Sequence, residues 1–282
     1  MKIQFNRVVI IGVGLIGSSI GMNLIRQKMA REVIGVGRNS QNLKEALRKK
    51  AVHKTVGALL AVPLLKKLTK DDLVILCSPI QSILEYLPKI SRSVLVMDVG
   101  STKYSIVQKA NQSRLRFVGS HPIAGTEKVG AKAGELNLFR GCWCLLTPGR
   151  NVLSQDMTKI AGFWKKLGMK CVVMSAEKHD SLFGALSHLP HVVAYSLVET
   201  VSRLTPLQGL KFSFGSFKDA TRVACSSPEM WRDIFLQNRE NILKAISLYE
   251  KELGQLKKMI LKKEGPLLLK FLSKVQKKRL PL

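Results

Sequence analysis

The sequence predicts an α/β Rossmann-type doubly wound parallel sheet followed by an all-α C-terminal dimerisation domain. Three observations carry this. Short apolar runs recur through the first 175 residues, separated by stretches with helical spacing. The first run leads straight into the glycine loop GVGLIG. After residue 175 the strand-like runs cease and two long helical patterns take over.

Each element follows from its residues. RVVIIG (7–12) is continuously apolar, as a parallel strand buried on both faces requires. Helical spacing follows through SSIGMNLIRQ (18–27). EVIGVGR (32–38) reads as the second strand and QNLKEALRKK (41–50) as the next helix. DLVILCSP (72–79) is a third strand, stopped by Pro79, which has no ladder N–H. SVLVMDVG (93–100), RFVGSHP (116–122), GCWCLLTPG (141–149) and KCVVMS (170–175) complete the strands, with a helix around 154–167 before the last. Beyond them, residues 176–204 and 227–263 are long and periodic, and Ser227 and Pro228 stand as N-cap and first-turn residues of the second helical pattern. These helices are apolar enough to need a partner surface, so a homodimer is expected. The domain division is 1–175 for dinucleotide binding, 176–255 for a helical substrate and dimerisation domain, and 256–282 for a basic helical tail.

Bulk composition narrows the classes. The 282 residues are 46% hydrophobic, with no apolar run of the roughly 18 to 20 residues that a membrane helix needs. No membrane association is therefore expected. Five scattered cysteines form no CxxC pair, which argues against a disulfide framework or zinc ribbon and for a reducing cytoplasm. The net charge of +27 is spread over many helix faces without a nucleic-acid motif, so it is read as attracting small anions rather than nucleic acid. Lysine is densest in 256–282, read as a solvated terminal helix or frayed tail, with a helix for a membrane surface or an acidic partner as the alternative.

In GVGLIG, Gly12 allows a tight turn, Gly14 lets the backbone approach a pyrophosphate, and Gly17 lets helix and strand pack closely. Leu15 and Ile16 begin the helix whose unpaired N–H groups would meet the phosphates. Ser78 and Pro79, closing the third strand at the same sheet edge, complete the cofactor set. The cofactor is NADP or NAD. The second strand ends in GVGRNSQN, with Arg38 and Ser40 and no carboxylate for ribose hydroxyls. A guanidinium and a hydroxyl suit a 2′-phosphate, which favours NADP.

Ligands of open α/β sheets bind beyond the carboxyl ends of the strands. Ser101 and Lys103 follow one such end and His121 the next. The helical half adds HDSLFGALSHLPH, with His179, Ser187, His188 and His191, and FKDATRVACSSPEMW, with Asp219, Arg222 and Trp231. His188 and His191 share a helix face although Pro190 must perturb that helix. No spacing here matches a zinc site, and no metal is expected.

DVGSTK, GSHPIAGTEKVG, HDSLFGALSHLPH and FKDATRVACSSPEMW resemble, in order, the motifs of the prephenate and arogenate dehydrogenases of tyrosine biosynthesis. The resemblance runs from GVGLIGSSIG to MWRDIF and leaves the segment after about 255 outside. It implies oxidative decarboxylation of a cyclohexadiene with hydride transfer to NAD(P)+. It also implies that His121 is the base at the substrate hydroxyl, with Ser101 beside it. Arg222 becomes a carboxylate clamp, His191, His188 and Ser187 line the substrate pocket, and Glu127 organises it. The missing acid after the second strand departs from NAD-using members. Two alternatives stand beside this reading: a β-hydroxyacid dehydrogenase, which would rely on a helix-borne lysine, and a non-catalytic dinucleotide-binding regulator. Prephenate and arogenate are not separated by any residue here.

Overall fold

The first strand, β1 (Phe5–Ile11), shows why the sheet forms. Val8 and Ile10 point to one face and Val9 and Ile11 to the other, and each joins a different core. A strand apolar on both sides must be covered on both sides, and burying each such side chain contributes about 1.5–3 kcal/mol.

In the computed structural model, which describes residues 4–125, 128–212 and 214–280, the chain then runs through α1 (Leu15–Arg26), β2 (Ala30–Gly37) and α2 (Ser40–Arg48). It continues through β3 (Lys54–Gly57), α3 (Ala61–Lys66), β4 (Leu73–Leu76), α4 (Ile80–Tyr86), β5 (Leu95–Asp98), α5 (Tyr104–Gln112) and β6 (Arg116–Pro122). β7 (Trp143–Pro148), α6 (Ser154–Lys166) and β8 (Lys170–Val173) close the first half. The strand order is β3-β2-β1-β4-β5-β6-β7-β8. The order reverses between β1 and β4, which places the glycine loop at the switch point.

Two features of the sheet depart from the sequence reading. β3 is an additional edge strand, too short and too polar to register as an apolar run. The sheet is not wholly parallel: β7 runs antiparallel to β6, with His121 opposite Leu145, and β8 then follows β7 in parallel. An apolar run fixes burial but carries no information about strand direction, which the connection sets.

One core packs α1 and α6 on one face, through Ile20, Leu24, Phe163 and Trp164. The other packs α3, α4 and α5, through Leu65, Ile83 and Ile106, and also takes in Trp231 and Ile234. The last two belong to the second half, which runs through α7 (Ala176–Phe183), a π-helical turn (Gly184–His188), α8 (Leu189–Leu204), α9 (Ser216–Thr221), α10 (Pro228–Gln237), α11 (Arg239–Leu261) and α12 (Gly265–Arg279). Ser227 caps α10, its hydroxyl accepting from the Met230 N–H, with Pro228 next. The expected start of a separate tail at 256 falls inside α11, which continues to Leu261.

The π turn absorbs the disturbance expected at Pro190, so helix continues from Ala176 to Leu204. This 29-residue stretch is long and apolar enough, by length and composition alone, to cross a membrane, which corrects the expectation that no segment is. Its exposed apolar side chains include Leu186 and Leu204, and further exposed leucines lie on α11 and α12, among them Leu248, Leu253, Leu269 and Leu272. Helix faces of this kind also occur where a second protein surface covers them.

Candidate active site

The carboxyl ends of the parallel strands β1, β4, β5 and β6 share one edge of the sheet. Gly12 follows β1 with φ +98°, and a Cβ there would stand 2.6 Å from the Cys77 carbonyl oxygen. A Cβ on Gly17 would stand 2.1 Å from the Gly12 carbonyl oxygen. Both positions require glycine on steric grounds. A Cβ on Gly14 would meet nothing within 4 Å, so the space over the loop is open. Gly14 is also the N-cap of α1 and supplies no side-chain cap, leaving the N–H groups around Leu15 and Ile16 facing that space. Nearby, Ser78 follows β4 with its hydroxyl buried and without a partner among the described residues, and Pro79 is the N-cap of α4. This set fits a dinucleotide pyrophosphate. Arg38 is exposed just past β2, and Ser40 is the exposed first residue of α2. Asn39, not Ser40, caps that helix, its Oδ1 accepting from the Asn42 N–H.

The next two strand ends gather buried charged and titratable side chains. Asp98 ends β5, and its carboxylate pairs with the Lys103 ammonium, both side chains fully buried. Asp98 also accepts from the N–H groups of Gly100 and Ser120, and Lys103 Nζ donates to the Ser120 carbonyl at 3.0 Å. This knot ties the β5–α5 turn to β6 directly beneath His121. Ser101 is half-buried in the same turn, and its hydroxyl makes no hydrogen bond to His121 among the described residues.

His121 Nδ1 lies 2.8 Å from His179 Nε2, and His179 Nδ1 lies 2.7 Å from Asp180 Oδ1. Asp180 also accepts from the N–H groups of Lys103 (2.8 Å) and Tyr104 (2.9 Å), at the start of α5. The sequence motifs assign His179 no role and do not single out Asp180. A single histidine followed by an aspartate gives no signal until the fold brings it to β6.

Beyond this pair the helical half adds a row of side chains. His188 is buried, with Nδ1 3.0 Å from Asn238 Nδ2. His191 donates from Nδ1 to the Ser187 carbonyl at 2.9 Å and stacks on Trp231, with ring centroids 3.4 Å apart. His188 meets the same indole edge-on at 5.9 Å. The two histidines thus share a face around Trp231, whose indole N–H is buried without a partner among the described residues. Arg222 is exposed at the start of a 3₁₀ turn, close enough for its charge to act on His191. Glu127 lies outside the described residues.

All four histidines of the row resist protonation. Burial holds His121 well below its ordinary value, reinforced by His179, Lys103 and His188. Burial also lowers His179, against the opposing pull of Asp180. It pushes His188 down to about 4. For His191, burial and Arg222 together outweigh the Ser187 carbonyl. The site therefore holds neutral imidazoles near neutral pH, as a proton acceptor requires. No metal-binding cluster of His, Cys, Asp or Glu exists among the described residues.

Comparison with known proteins places this architecture. Residues 20–173 match the family model described as the prephenate dehydrogenase nucleotide-binding domain, and residues 175–274 match the prephenate dehydrogenase dimerization domain. The second match takes in most of the basic segment that the motif resemblance leaves outside. The cyclohexadienyl dehydrogenase of Zymomonas mobilis is 34% identical, over 99% of this chain and 96% of its own. The Aquifex aeolicus prephenate dehydrogenase, solved with hydroxyphenyl propionate and NAD+, superposes with a TM-score of 0.91 at 34% identity, over 100% of this chain and 99% of its own. The Synechocystis arogenate dehydrogenase superposes at 0.80 with 27% identity, over 97% and 98%. The two family models together span most of the chain, from the nucleotide-binding half to the helical half, and the chain belongs to the prephenate dehydrogenase family.

Proposed function

We propose that this protein oxidatively decarboxylates prephenate or arogenate, in tyrosine biosynthesis, with His121 as the base. The carrying observation is a neutral imidazole at the carboxyl end of β6, on the same sheet edge as the glycine loop. A bound nicotinamide dinucleotide supplies the hydride acceptor. His121 takes the proton of the ring hydroxyl as hydride leaves the carbon that bears this oxygen, and loss of carbon dioxide then leaves an aromatic phenolate that takes the proton back. A positioned base contributes about 10²–10⁴-fold. Arg222 holds a substrate carboxylate through its planar fork, and His191, His188 and Ser187 line the pocket beside it.

The finer assignments belong to the same proposal. NADP is preferred over NAD, because Arg38 and Ser40 follow β2 with no carboxylate in that window; the Aquifex aeolicus relative was solved with NAD+. The protein works as a homodimer, because exposed leucines on α8, α11 and α12 need cover and the helical half matches a dimerization domain. Its five cysteines are free thiols, as a reducing cytoplasm maintains them.

Assaying purified protein with each substrate against each cofactor, by absorbance of the reduced nicotinamide, tests the reading. Turnover of a simple β-hydroxyacid but of neither cyclohexadiene would refute it, and a lower KM for NAD than for NADP would overturn the cofactor assignment. His121→Asn should lower kcat about 10²–10⁴-fold with little change in KM. Normal kcat in that variant removes His121 from the mechanism.

A further inference from the structure

We propose that His179 and Asp180 form a positioning dyad behind His121, fixing its proton on Nδ1 and leaving Nε2 as the lone pair offered to substrate. The inference rests on the dehydrogenase reading above and names two residues that the motif resemblance did not assign.

The order of donors follows from the carboxylate outward. Asp180 accepts from two N–H groups in the first turn of α5, where the helix dipole favours negative charge. An ionised carboxylate is an acceptor only, so His179 Nδ1 at 2.7 Å must donate to it. Neutral His179 then has its lone pair on Nε2. That lone pair faces His121 Nδ1 at 2.8 Å, so His121 donates from Nδ1. Neutral His121 is left with an unprotonated Nε2.

Packing holds the order in place. Phe183 stacks on His179 with ring centroids 4.6 Å apart and 18° between planes, and it contacts His121 at 4.7 Å. The charged and titratable groups facing the pair are Lys103 before α5, Asp98 at the end of β5, His188 in the π turn and Cys144 on β7. Asp180 is the carboxylate in direct contact with the pair, because Asp98 is engaged by Lys103.

Proton balance is simple. The substrate hydroxyl proton moves to His121 Nε2, and the imidazolium so formed keeps its Nδ1 proton on the His179 side. The positive charge thus develops one ring away from the Asp180 carboxylate. Removing the carboxylate behind a catalytic histidine costs about 10⁴-fold in kcat in the serine proteases, by loss of the correct tautomer. The geometry here interposes a second imidazole.

Two measurements test the dyad. Ring ¹⁵N NMR of the intact wild-type protein at mildly alkaline pH should find His121 and His179 both as Nδ1–H tautomers; His121 as the Nε2–H form overturns the proposal. In kinetics, Asp180→Asn supplies at most one acceptor oxygen for three donors, and kcat should fall about 10²–10⁴-fold with substrate KM and dinucleotide Kd nearly unchanged. His179→Gln places a carbonyl acceptor near the Nε2 position and should keep kcat within about tenfold of wild type, while His179→Leu should lose about 100-fold or more. A structural role alone would not distinguish Gln from Leu in kcat at unchanged Kd. Equal losses in both variants, or normal kcat in Asp180→Asn, overturn the dyad. Normal kcat in His121→Asn, measured alongside, instead overturns the base assignment on which the dyad depends.

Discussion

Protonating His188 should destabilise the fold by an amount that follows from its surroundings. The side chain is 1% exposed. Asn238 Nδ2, 3.0 Å from its Nδ1, also donates to the Asp180 carbonyl at 2.7 Å, and Asn238 Oδ1 accepts from Asn241 at 2.8 Å. The amide cannot turn its oxygen toward the imidazole without breaking both bonds, so Nδ1 must accept, and a proton placed there would face a donor. Burial, opposed by Asp180 and aided by His179 and His191, pushes the group from 6.5 to about 4. The unfolded chain takes up this proton below about 6.5 and the folded chain only below about 4, so the stability is complete above that window and is lost as pH falls through it. At about 1.4 kcal/mol per pH unit the loss reaches about 3 kcal/mol. Urea unfolding from about pH 7.5 to 4.5, at fixed protomer concentration, should show wild type falling more steeply than His188→Gln by up to one proton. Gln cannot titrate and retains a carbonyl acceptor for Asn238, so the difference isolates this group. Parallel curves would refute the assignment.

Other variants probe other parts of the site. Gly17→Ala drives a Cβ to 2.1 Å from the Gly12 carbonyl, so the loop must shift and dinucleotide affinity should fall by roughly tenfold or more in a direct titration. Gly14→Ala meets no protein atom within 4 Å; unfolding free energy should change by less than about 0.5 kcal/mol while dinucleotide KM rises, and an unchanged KM would show that the cofactor does not approach there. Lys103→Met leaves Asp98 buried without its cation and should cost about 3–5 kcal/mol in chemical denaturation. Arg222→Ala should raise substrate KM by about 30-fold or more, corresponding to about 2 kcal/mol, with little effect on the dinucleotide; an unchanged KM excludes the clamp.

Periodicity and punctuation made most of this legible from the sequence. The apolar runs at 7–12, 72–79 and 93–100 had to be strands covered on both faces, and the glycines at 12 and 17 had to be glycines, because their surroundings leave no room for a Cβ. Lys103 and His121 were legible as residues at strand ends, since strand ends are where an α/β sheet binds its ligand. These are local properties, carried by residues within a few positions of one another.

What needed the tertiary structure is what depends on chain separation or direction. The antiparallel entry of β7 comes from the path of the connection, not from the apolar content of the strand. The Lys103–Asp98 pair lies within five residues but matters because β6 closes over it. The contact between His121 and His179 crosses 58 residues, and that between Asp180 and the first turn of α5 crosses 77. An isolated histidine or aspartate on a helix is silent in sequence; only when two halves of the chain pack do its donors and acceptors find partners.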